Sequence, residues 1–94
     1  MSTFFLFGRY GETAVKEISA KRTEKTSALL QKLGGQLKSA YALLGEHDLV
    51  LIVDLPGIEQ AIQCSLALSK MTSISFTTAP AIPVEQFDKL AANL

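Results

Sequence analysis

Two apolar runs constrain this chain more than any other feature: Phe4-Phe5-Leu6-Phe7 and Leu49-Val50-Leu51-Ile52-Val53. Neither approaches the ~20 apolar residues of a membrane span, and each reads as a strand. Successive strand residues point to opposite faces. Phe4 and Leu6 therefore oppose Phe5 and Phe7, and Leu49, Leu51 and Val53 oppose Val50 and Ile52. Strands apolar on both faces belong at the centre of a sheet, and both faces of that sheet then need cover.

The other elements arrange themselves around these two. Thr3 to Tyr10 forms the first strand, closed by Gly11. From Glu12 to Leu33 the apolar positions Val15, Ile18, Leu29, Leu30 and Leu33 recur at helical spacing, with Thr13 as N-cap. The polar stretch Ser19 to Lys25 divides this region into a short helix and a longer one, and Gly34-Gly35 supplies a left-handed end. Leu37 to Leu44 is a second strand and Leu49 to Leu55 a third, joined by a hairpin through Gly45-Glu46-His47-Asp48. Pro56-Gly57 stops the third strand. Ile58, Ala61, Ile62 and Leu66 line one face of a helix running to about Lys70. Ser73 to Ala79 alternates as a half-buried fourth strand, and Pro83 opens a last helix with Phe87, Leu90 and Leu94 on one side.

Ninety-four residues make a single domain, 1–94, since a second core would leave both halves too small. The order β-α-β-β-α-β with a C-terminal helix predicts an α+β, ferredoxin-like sandwich: an antiparallel sheet with two helices on one face. The two apolar strands become the central pair. The second strand, with Lys38 and Ser39, and the Ser/Thr-rich fourth suit the edges. One face of the central pair stays uncovered by those helices. Either the last helix folds back over it, or a second copy packs sheet to sheet as a dimeric α/β barrel. The last helix offers only Phe87, Leu90 and Leu94 as large apolar residues, which favours a homodimer or higher homo-oligomer.

Nine Lys plus Arg balance nine Asp plus Glu, so no global field attracts nucleic acid or an anionic membrane. A local basic run, Lys16 to Lys32, reads as the solvated face of a helix. The RNA-binding version of this fold needs aromatic and basic residues on its third strand, and Leu49 to Val53 has none. The lone Cys64 has no disulfide partner and reads as a buried thiol, which together with the missing signal core and membrane span predicts a soluble, cytoplasmic protein. There is no glycine-rich phosphate loop, Cys-x-x-Cys or second histidine, so no metal site and no cofactor is expected.

Four residues are candidates for ligand binding. Tyr10 ends the first strand and Arg22 stands at the helix bend; together they would frame a cleft in which Arg22 meets a carboxylate or phosphate. The structural alternative packs Tyr10 at the core edge and pairs Arg22 with Glu24 or Glu17. His47, the only histidine, has the chemistry of an acid, a base or a haem ligand, with Glu46 and Asp48 beside it. Asp48 also suits a structural role, accepting backbone N–H bonds at the hairpin. Tyr41, on an edge strand, reads as an interface aromatic.

The turn and its flanks, Tyr41-Ala42-Leu43-Leu44-Gly45-Glu46-His47-Asp48-Leu49-Val50-Leu51-Ile52, resemble the signature of the GYD-domain family, as do Ile18-Ser19-Ala20-Lys21-Arg22-Thr23 and Leu33-Gly34-Gly35. The resemblance covers nearly the whole chain, with His47 where the family's pattern usually has Tyr. It implies a small dimeric α/β-barrel protein and supplies no activity. Two function classes follow: a non-catalytic oligomer that binds a small ligand, or a small cofactor-poor or haem-using enzyme with His47 at its site. A purely structural oligomer subunit is the third possibility.

Overall fold

The structure, a computed structural model, describes residues 1–12 and 19–94. The expected cap at Thr13 and the apolar positions Val15 and Ile18 lie outside these described residues. Four strands, β1 (Ser2–Tyr10), β2 (Gln36–Ala42), β3 (Leu49–Leu55) and β4 (Ile74–Ala81), form one sheet in the order β2-β3-β1-β4. All three pairings are antiparallel. Helices α1 (Ala20–Lys32) and α2 (Ile58–Thr72) contact the sheet, and α3 (Val84–Ala92) follows β4. The two apolar strands are the central pair, with Phe4 opposite Val53 and Leu6 opposite Leu51.

Ser19 marks the start of α1. Its backbone is extended and its Oγ accepts from the Arg22 N–H, satisfying one of the donors a helix start leaves without an internal partner. The helix ends as Gly34-Gly35 predicts. Gly34 takes φ +85°, its N–H donates to Gln31 O, and the Gly35 N–H donates to Leu30 O. Gly35 is held for another reason: a Cβ there would stand 2.0 Å from Asp54 O. The end of α1 thus lies directly against β3, where no side chain fits. β2 stops at Ala42, two residues before the expected end, with the Leu43 N–H still donating to Asp48 O across the hairpin.

The core lies between the helices and one sheet face. Phe4, Leu6, Leu51, Val53 and Leu55 point into it from the sheet, and Leu30 meets them from α1. One expectation is corrected at α2. Ile58, Ile62 and Leu66 do not line its inner face; they are 55–65% exposed. The buried positions are Ala61, Cys64, Leu68 and Thr72. Both sets have helical spacing, and the helix seats the set beginning with small residues. Ala61 and Cys64 let the α2 backbone come close to the sheet, where a branched pair would hold it off. Cys64 is fully buried, and that burial pushes its thiol up to about 11. The Ser65 and Thr78 hydroxyls bond to each other and tie α2 to the edge strand β4.

The other sheet face is open. Phe5 lies opposite Ile52 and Ala79, Phe7 opposite Val50 and Thr77, and Tyr41 completes the Phe7–Val50 row from β2. Tyr41 is 57% exposed. The C-terminal helix does not cover these residues: none of its residues is buried, and Val84, Phe87 and Leu90 all face solvent. Pro83 sits just outside this helix as its N-cap, its carbonyl accepting from Phe87. Among the described residues, no helix is long and apolar enough to cross a membrane.

Candidate functional site

Alternation along β1 decides where Tyr10 goes. It shares parity with Phe4, Leu6 and Gly8, so its ring lies on the helix side at the end of the strand. Arg22, in the first turn of α1, comes down over it, with the guanidinium carbon 5.4 Å from the ring centroid. Behind them a cleft of about 110 Å³ opens between α1, α2 and the sheet. Gly8 shapes its floor: a Cβ there would stand 2.9 Å from Ile74 Cγ2 and 3.0 Å from Phe76 Cε1, so its absence admits those two side chains from β4. Ser19, Thr23 and Thr26 border the cleft from the α1 side.

Asp48 reaches the same place from the other direction. Its Oδ2 accepts from the Tyr10 N–H at 2.9 Å, and its own N–H donates to Gly8 O at 2.8 Å. The carboxylate accepts a backbone N–H, as expected, but across to β1 rather than within its own turn. It holds the end of β1, and with it Tyr10, against the β2–β3 connection.

His47 goes elsewhere. Its ring packs on Phe7, centroids 5.1 Å apart, and so belongs with the open sheet face. A hollow there is bordered by Phe7, Arg9, Glu46, His47, Ser75 and Thr77. Arg9 Nε donates to Glu46 O and holds the turn to β1. His47 Nδ1 is buried without a hydrogen-bond partner among the described residues, an arrangement that costs about 1–3 kcal/mol. The four candidates therefore divide: Tyr10 and Arg22 border one cleft, Asp48 holds the Tyr10 backbone without lining that cleft, and His47 lies on the open sheet face. No group of three or more His, Cys, Asp or Glu side chains among the described residues could hold a metal ion.

Sequence reasoning missed Thr26, Thr72 and Phe76, which also line the cleft. Thr26 had a signal, standing four residues after Arg22 and hence on the same side of α1. Phe76 and Thr72 had none, because their place depends on how β4 pairs with β1.

Comparison with known proteins bears on the fold and the family. The family model of the GYD domain matches residues 4–91. The crystal structure of the Mycobacterium tuberculosis leucine response regulatory protein, LrpA, superposes with a TM-score of 0.58 at 11% identity, covering 87% of this chain and 51% of that one. The chain thus spans about half the length of that protein, and at this identity the likeness speaks for the ferredoxin-like fold alone. No curated protein matches.

Proposed function

The chain belongs to the GYD domain family, and on that premise we propose that it is a non-catalytic, self-associating domain that binds a small molecule in the Tyr10–Arg22 cleft of each copy. The observation that carries the proposal is the uncovered sheet face. Phe5, Phe7, Val50, Ile52 and Tyr41 form apolar rows across it: Tyr41 is exposed, Phe5, Phe7 and Ile52 are partly so, Val50 is buried among them, and no residue of α3 is buried. Four strands spaced ~4.8 Å apart, with ~3.3 Å per residue along each, make a face on the order of 450 Å² in projection. Side-chain relief raises that toward the ~800 Å² per partner of a standard interface. A second copy presenting the same face is the occupant whose shape and polarity match, and two such sheets pack ~10 Å apart. The cleft lies on the helix side, away from the face where two sheets would pair. A cytoplasmic, reducing setting suits a chain whose one thiol is buried and unpaired.

Native mass spectrometry of the gently purified protein tests both halves together. The expected result is a dimer carrying a defined extra mass. A bare dimer would remove the ligand from the reading, and a monomer would refute the self-association.

A further inference from the structure

The two edges of the sheet are built differently. β2 carries Lys38, paired with Asp54 at 3.7 Å, and its register against β3 shifts between Leu37 and Ser39. A charge and an irregular register keep an edge from joining another strand. β4 has neither: its 8 residues hold one register against β1 and carry no charge. The Ile74 N–H donates to Thr72 Oγ1 at 3.2 Å rather than to β1, so residues 74, 76, 78 and 80 turn their backbone groups outward. Pro80, with no N–H, blunts one end only. The N–H groups of Phe76 and Thr78 are left as open donors along this edge.

A second bare surface lies above the same edge. α2 sits over the β1–β4 pair, with Ala61, Cys64 and Leu68 in the core beside Phe4 and Leu6, and with the Ser65 hydroxyl on Thr78. Continuing round the helix from Ser65, on its β4 side, come Ile58, Ile62 and Leu66, each one turn from the next. They are 55–65% exposed, and no charged residue interrupts the stripe.

We infer that β4 pairs antiparallel with β4 of a second copy, doubling the sheet and bringing the two α2 stripes together. A two-fold axis beside Thr78 serves both open donors: the Thr78 N–H meets the Thr78 carbonyl of the second copy, and the Phe76 N–H meets its Pro80 carbonyl. The two α2 helices then stand two strand spacings apart, ~9.6 Å, within the ~8–10 Å at which helices pack. The area also suffices. Ile58, Ile62 and Leu66, with about 100 Å² each still free, and an edge about 26 Å long bring the contact to roughly 1,000 Å² in total, the lower bound of a specific interface. A foreign strand would pair the edge and leave the stripe in water, so a second copy is the occupant that covers both. This contact uses a different surface from the sheet-face pairing proposed above and is the smaller of the two. Together they give a tetramer that forms only at high concentration.

The test is amide hydrogen exchange, read by NMR on the nitrogen-15-labelled full chain at about 0.05 mM and about 1 mM. With a Kd on the order of 0.1 mM for so small a contact, Phe76 and Thr78 should exchange about three-fold more slowly at the higher concentration. The amides that pair β1 with β3 should not change. Ile62→Glu sets a carboxylate in the stripe at an exposed position, so the chain keeps its fold while Phe76 and Thr78 lose the concentration dependence. Leu66→Glu should act in the same way. Phe5→Glu, on the open sheet face, should leave the dependence in place, so failure of the edge pairing and failure of the sheet-face pairing give different results. Equal exchange rates at the two concentrations would overturn the inference. So would a dependence that survives both Ile62→Glu and Leu66→Glu, or one that falls on Ser39 and Tyr41 of β2 instead.

Discussion

Replacing Phe5 with Glu should take the proposed dimer apart while leaving the fold in place. Phe5 stands on the central strand β1 with Ile52 and Ala79 opposite it and the Phe7 ring 6.2 Å along the strand, and no cation is its cross-strand neighbour. A phenylalanine buries ~150–250 Å² in all. Phe5 is already about two-thirds buried, so no more than about 70 Å² remains for a second copy to cover. At ~25 cal/mol per Å² that is about 1.8 kcal/mol, counted twice in a two-fold dimer. The carboxylate adds a desolvation cost of several kcal/mol unless it reaches water. The dimerisation constant should therefore fall by at least about 10³-fold. Sedimentation equilibrium reads this directly, with far-UV circular dichroism confirming that the sheet persists. Phe5→Leu, which keeps the face apolar, should stay dimeric. If folded Phe5→Glu sediments with the same association constant as the parent chain, this sheet face is not the interface.

Gly35→Ala should lower stability by about 2–4 kcal/mol, because the new methyl would meet Asp54 O at 2.0 Å and Leu55 Cδ2 at 2.7 Å, and α1 must draw back from β3 to admit it. Gly57→Ala, which meets only the flexible Gln60 Oε1 at 3.5 Å, should move the urea midpoint little, and equal effects at the two sites would refute the close approach. Burial lifts the Cys64 thiol from 9.0 to about 11, so the folded state favours the protonated form more than the unfolded chain does. Stability is therefore fully present below pH 9 and declines as pH rises from about 9 to 11, by no more than about 3 kcal/mol. Cys64→Ala should flatten that part of the profile measured by urea unfolding, and an unchanged slope would refute the assignment to this thiol.

The fold was legible because its strongest signals are local. The Phe4–Phe7 and Leu49–Val53 runs name the central strands, and Gly34-Gly35 marks the end of α1 to the residue. What escaped the sequence depends on distant partners. At α2, two stripes with the same helical spacing compete, and only the closeness of the sheet beneath selects Ala61 and Cys64 over Ile58 and Ile62. Tyr10 and Arg22 could be placed together because strand parity and helix phase both point them to one mouth. Asp48 and His47 are neighbours in the chain yet take different partners, Asp48 the Tyr10 N–H and His47 the Phe7 ring. That separation is fixed by the Asp48 bonds to Gly8 and Tyr10, and nothing in the turn residues announces those bonds.

The position of β1 also bears on how the chain reaches its native state. Phe4 pairs with Val53 on one side and Pro80 on the other, so β1 waits for partners that lie well beyond it in the chain. Contacts of such long sequence separation carry a large loop-closure cost and slow the search for the folded state. Until β3 is available, Phe4-Phe5-Leu6-Phe7 is an unpaired, uncharged, aromatic segment of the kind that adds to other chains. The hydrocarbon that gives the mature sheet its centre is thus, during synthesis on the ribosome, the part of the chain with most need of a chaperone.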